Sequence, residues 1–81
     1  MIIINEVKQT CAASPSQWEG MGEEGHLILV RYRWGYLSIE KDNEEIWGKQ
    51  LGGRLDGSLT YEELKQATED FIVWPEAFSS N

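Results

Sequence analysis

Residues 26–49 read HLILVRYRWGYLSIEKDNEEIWGK, and the way their apolar residues alternate decides the fold class. From Ile28 the even positions are Ile28, Val30, Tyr32 and Trp34, whereas Leu29, Arg31 and Arg33 take the odd ones. A period of two with one apolar row marks a strand that buries one face. After Trp34 and Gly35 the parity swaps: Leu37 and Ile39 are apolar, and Tyr36, Ser38 and Glu40 fill the even positions. A reversal centred between Trp34 and Gly35 opposes Tyr32 to Leu37, Val30 to Ile39 and Arg31 to Ser38. Both apolar rows then fall on one face, as register requires. Trp34 is a poor first residue for a tight type I′ turn, which needs positive φ there, so a four-residue loop over 33–36 is the expected connection. Asp42 and Asn43 supply a second turn, which sets Ile39 opposite Ile46 and Ser38 opposite Trp47. On this register Arg31, Arg33, Tyr36, Ser38, Trp47 and Lys49 share the face turned away from the core, with Leu29, Glu40 and Glu45 at its margin.

The flanking sequence supplies what covers the other face. Thr60 with Glu63 spells a capping box, and Leu59 with Leu64 a hydrophobic staple, so a helix opens at Tyr61. Tyr61, Leu64, Ala67, Thr68, Phe71 and Ile72 trace its inward stripe, and Pro75 predicts an end near residue 72. Upstream, Gln17, Trp18, Glu19 and Gly20 ahead of a glycine-rich loop read as a further strand, and Ile2, Ile3 and Ile4 as another. Residues 11–15 read as a connection, because Ser14 and Pro15 oppose both helix and central strand. The expected architecture is α+β: an antiparallel β-meander of three to five strands with one C-terminal α-helix packed on one face. It forms one domain over residues 1–81, with 1–16 and 75–81 irregular or frayed at the ends.

Composition narrows the function classes. The chain has 81 residues, 41% hydrophobic and 26% charged, with seven basic and fourteen acidic residues for a net charge of −7. That is a globular rather than a disordered balance. No apolar run approaches the length of a membrane span, and residues 1–4 are too short for a signal-peptide core. A single cysteine cannot form an internal disulfide, which points to a reducing, cytoplasmic setting. The charge is unevenly spread. Residues 26–49 hold four basic and four acidic side chains and sum to zero, whereas the acid excess lies in 1–25 and 60–76.

Chemistry-bearing patterns are few. Residues 52–63 have the rhythm of a calcium loop, with Gly57 at the sixth position and Glu63 at the twelfth. Gly52 and Arg54 occupy the first and third positions, where oxygen ligands belong, so calcium is rejected in favour of a turn at Asp56 and Gly57 leading into a capped helix. One Cys (Cys11) and one His (His26) are too few for a zinc cage. Cys11 with His26 lacks an orienting third group for nucleophilic catalysis. The acidic doublets at 23–24, 44–45, 62–63 and 69–70 fall in turns and on the helix, where solvated charge is the ordinary use. No phosphate-binding glycine spacing occurs. No catalytic residue, metal or cofactor is therefore expected, and the chain reads as a non-enzymatic protein.

The segments Ser14-Pro15-Ser16-Gln17-Trp18-Glu19-Gly20, Val30-Arg31-Tyr32-Arg33-Trp34-Gly35-Tyr36-Leu37-Ser38 and Leu55-Asp56-Gly57 resemble a group of small phage and bacterial proteins without an established activity. The resemblance implies a cytoplasmic accessory protein of phage or bacterial origin and carries no residue roles.

The sheet face is the feature that points to function. Arg, Trp and Tyr are the residues most enriched at binding hot spots. The leading expectation is a binding module that docks a protein partner, or its own copy, through Arg31, Arg33, Tyr36, Ser38, Trp47 and Lys49. The alternative is a small anionic ligand or nucleotide held by Arg31 and Arg33 with Trp47 stacked on its ring. Nucleic acid is disfavoured by the net charge, although an acidic chain could imitate DNA. The competing structural use would pack Trp47 under the N-terminal segment and pair Arg31 diagonally with Glu40.

Overall fold

The structure is a computed structural model that describes residues 1–11, 16–53 and 58–80. Five strands run as an antiparallel meander: β1 (Ile2–Cys11), β2 (Ser16–Gly22), β3 (Leu27–Arg33), β4 (Tyr36–Lys41) and β5 (Glu44–Gln50). A short helix, α1 (Tyr61–Ala67), follows, and then two two-residue strands, β6 (Ile72–Val73) and β7 (Ser79–Ser80). Both short strands lie parallel to β1, β6 beside Ile2 and Ile3 and β7 beside Lys8 and Gln9. The sheet order is β5-β4-β3-β2-β1-β6, with β7 also on β1. The class is α+β with an antiparallel sheet, and the sheet holds more strands than the sequence predicted.

The central hairpin has the register that alternation demands. Tyr32 opposes Leu37, Val30 opposes Ile39 and Arg31 opposes Ser38. Ile28, Val30, Tyr32, Leu37 and Ile39 are buried on the inner face with Trp18, Ile4 and Val7. Leu59, Tyr61, Leu64, Ile72 and Trp74 from the C-terminal third complete this core. At about 25 cal/mol per Å² of apolar area, burial in this shared core is the main force holding the fold together. The ends are more ordered than expected: residues 2–11 form the longest strand, and residues 79–80 pair with it.

The connection in the first hairpin differs from the expected loop. Arg33 opposes Tyr36 directly, leaving a two-residue turn in which Trp34 has φ 54° and Gly35 φ 75°. The turn is clamped from the following segment. The N–H groups of Leu51 and Gly52 donate to the Gly35 carbonyl, at 2.7 and 3.1 Å, and the Gln50 side-chain amide donates to the Trp34 and Gly52 carbonyls, at 2.9 and 2.7 Å. A Cβ on Gly35 would collide with the Gly52 carbonyl, so this approach needs glycine. The type I′ twist matches the strands, and these three donors hold Trp34 in a left-handed conformation that a bulky residue ordinarily avoids.

The helix is also shorter than the stripe predicted. Its start is as read: Thr60 accepts from the Glu63 N–H, and Glu63 accepts in return from the Thr60 N–H. The Thr60 N–H and then the Thr60 hydroxyl, both donating to the Glu63 carboxylate, hold that carboxyl below its usual range. The end comes at Thr68 rather than near residue 72. The buried Thr68 hydroxyl donates to the Leu64 carbonyl and accepts from the Trp74 indole N–H at 2.8 Å. Turning the chain there returns residues 72–73 to the sheet, where they satisfy the edge of β1. The Leu59 N–H donates to the buried Ser16 hydroxyl, which ties the helix entry to the start of β2. Of the connection expected over 11–15, Cys11 is instead the last residue of β1; the rest of it and the turn at Asp56 and Gly57 lie outside the described residues.

Candidate functional site

The second hairpin decides which side chains share the outer face. Its turn is at Asp42 and Asn43, with φ 50° and 73°, and Lys41 opposes Glu44 while Glu40 opposes Glu45. Asp42 is fixed from both sides: its carboxylate accepts from the Leu27 N–H at 3.0 Å and contacts His26 Nδ1 at 2.6 Å. The backbone bond first, and then the histidine, hold this carboxyl below its usual range. The register then shifts: Ile39 opposes Trp47, and Ser38 opposes Gly48. Ile46 is the extra residue of a β-bulge. It stays exposed, and Trp47 turns inward against Phe71, with ring centroids 5.4 Å apart. An indole buries more apolar area than an isoleucine, which is the physical reason for the shift.

Trp47 and Lys49 therefore leave the proposed face. Trp47 is half-buried on the inner side, and Lys49, opposite Leu37, lies on that same side at its rim. The other four predicted residues stay together. Arg31, Arg33, Tyr36 and Ser38 line one shallow hollow on the outer face, joined by Trp34, Glu40, Glu45 and Gln50. Strand alternation explains the grouping, because Arg31 sits beside Ser38, Arg33 beside Tyr36, and Tyr36 beside Gln50.

Within the hollow, contacts fix some groups and leave others open. Tyr36 lies across Gly48, where a Cβ would collide with its hydroxyl, and that hydroxyl donates to Glu45 at 3.1 Å. Donation to a carboxylate raises the Tyr36 pKa above its ordinary value. The Arg33 guanidinium lies 5.3 Å from the centroid of the Trp34 ring, within cation–π range. Trp34 is 66% exposed. Among the described residues neither Arg31 nor Arg33 forms a salt bridge, so the diagonal pairing of Arg31 with Glu40 is not made. Glu40 and Glu45 instead face each other across β4 and β5.

Trp34, which alternation counts in the apolar row with Ile28, Val30 and Tyr32, stands exposed instead. The signal was present: a Trp-Gly pair at the midpoint of the parity swap puts the indole at a hairpin tip once a two-residue turn is allowed. Cys11 and His26 are not brought together. Cys11 pairs with Gln17 at one end of the β1–β2 ladder, whereas His26 adjoins Gly22 at the other. Among the described residues no three His, Cys, Asp or Glu side chains gather as a metal site, and no helix is long and apolar enough to cross a membrane. Compared with family models, curated proteins and solved structures, the chain matches none.

Proposed function

We propose that this protein is a non-enzymatic docking module that binds a protein partner through the outer face of β3, β4 and β5, with Arg31, Arg33, Trp34 and Tyr36 as its anchors. One observation carries the reading. A largely exposed tryptophan is held at positive φ, where its backbone is disfavoured by about 1–2 kcal/mol. Strain of this kind persists at sites of function. The neighbours suit a binding hot spot: two guanidinium groups without internal carboxylate partners, and a tyrosine pinned in place. Glu40 and Glu45 in the same hollow weigh against a small anion or nucleotide, because their charge opposes the ligand that the arginines would hold.

The test compares affinity capture from source-cell extract by the wild type, by R33A/W34A, and by E69A/D70A in the turn that follows the helix. Hot-spot truncations exceed 2 kcal/mol, so R33A/W34A is expected to weaken retention of the identified partner by at least about 30-fold. E69A/D70A should retain it, and all three proteins should melt cooperatively. Equal capture by wild type and R33A/W34A would overturn the proposal.

A further inference from the structure

The outer face is electrically two-ended. Toward the Trp34 turn it carries Arg31 and Arg33, with Ser38, Gly48, Tyr36 and Gln50 beside them in register. Toward the other end, one cross-strand row runs Lys8, Glu19, Leu29, Glu40, Glu45. Beyond it, the loops closing that end present the exposed carboxylates of Glu23, Glu24 and Asp42. A surface whose halves carry opposite charge is complementary to itself when one copy is turned end for end.

We infer that the partner of this face is a second copy of the same chain, packed face to face about a two-fold axis that runs across the strands between the Leu29 and Arg31 rows. The inference rests on the docking reading above and specifies its occupant. Such an axis reverses strand direction between the copies. The arginine end of each sheet then lies over the glutamate end of the other, and the geometry is isologous, as two-fold dimers require. Arg31 of one copy meets Glu40 and Glu19 of its mate, and Arg33 with Trp34 reaches the mate's acidic loops. A second observation points the same way. Glu40 directly opposes Glu45, a like-charge cross-strand pair that is unfavourable in an isolated sheet, with no cation on it among the described residues. A guanidinium from the mate supplies that cation. Leu29, Tyr36 and Trp34 provide the apolar contact.

The size of the face sets the strength. Five strands about 4.8 Å apart and about seven residues of 3.3 Å each span roughly 550 Å². That footprint falls short of the usual 800 Å² per partner for a stable complex, so the dimer is weak and concentration-dependent.

The test is a charge exchange on purified protein, read by light scattering and sedimentation from about 10 to 500 μM. The wild type is expected to rise from 9.3 kDa toward twice that mass, and to dissociate as salt screens the pairs. R31E/R33E removes the basic end of the face and E40R/E45R replaces two carboxylates of the acidic row with guanidinium groups, so each alone should stay monomeric, at least tenfold weaker in self-association. Mixed in equal amounts they should form a heterodimer, because each then offers the charge the other lacks. Circular dichroism melts establish that both variants fold. A wild type that is monomeric at 500 μM, a dimer that survives R31E/R33E, or folded variants that fail to associate on mixing would each overturn the inference. Differential capture by R33A/W34A would still stand in that event, and would assign the face to a different protein.

Discussion

Trp34 is the residue at which stability and binding should part most clearly, and Trp34→Asn is the substitution that separates them. Asparagine accepts the left-handed conformation that Trp34 holds at φ 54°, so the change relieves about 1–2 kcal/mol of backbone penalty. Against this stand two losses. The cation–π contact with Arg33, at 5.3 Å and exposed, contributes about 0.5 kcal/mol. About one third of the indole is covered; for a side chain of about 200 Å² that is some 70 Å², or about 1.7 kcal/mol at the standard area coefficient. This is an upper bound, since the denatured chain already hides part of it. The terms nearly cancel. Denaturant unfolding should place the variant within about 1 kcal/mol of the wild type, a Tm shift of no more than about 4–8 °C for a chain of this size. A buried tryptophan of the core would lose about 3–5 kcal/mol on truncation. Binding through the face should fall at least 30-fold in the same variant. A loss of more than about 2 kcal/mol in stability would refute the reasoning, because it would make Trp34 a packing residue.

Trp47→Ala should show the opposite pattern, losing about 2–3 kcal/mol in urea unfolding, because its ring packs on Phe71 beneath the sheet. Gly48→Ala should leave stability nearly unchanged while pushing the Tyr36 ring off the strand; the Tyr36 pKa, followed by NMR, should fall back toward 10 as its hydrogen bond to Glu45 is lost. Thr60→Ala removes the hydroxyl half of the capping box and should cost about 1 kcal/mol in thermal unfolding. Burial pushes the Tyr61 pKa up to about 12 from 10.0. The native state therefore holds this proton more tightly than the unfolded chain, and the associated stability, complete below pH 10, should fade between pH 10 and 12. Tyr61→Phe should flatten that alkaline limb of a Tm-against-pH curve.

Much of this fold is legible in the alternation of residues 28–39, because a half-buried strand leaves no choice of face once its partner's parity is known. The capping box at Thr60 and Glu63 is likewise a local signal with a local cause. The misplacements all arise where tertiary contacts override local preference. Trp34 is a poor residue for positive φ, yet Gln50, Leu51 and Gly52 bind the turn's carbonyls and impose it. Ile46 and Trp47 compete for one inward position, and a bulge awards it to the larger ring, which takes Trp47 and Lys49 from the face where simple alternation puts them. The helix stripe runs on through Phe71 and Ile72, but the Thr68–Trp74 hydrogen bond turns the chain sooner and sends it back as strand. Four of the six predicted face residues remain together because they precede the bulge.

The pairing of β1 with β6 and β7 has a consequence for how the molecule forms. Residues 2–3 meet 72–73, and residues 8–9 meet 79–80, so these contacts close loops nearly as long as the chain. The meander can zip by successive short reversals, whereas joining such distant segments carries the largest loop-closure entropy. The outer edge of β1 is therefore sealed last. Until then its open hydrogen-bonding groups form a template on which strands of other molecules can add, and slowing the return of residues 72–80 should favour aggregation during refolding over the native sheet.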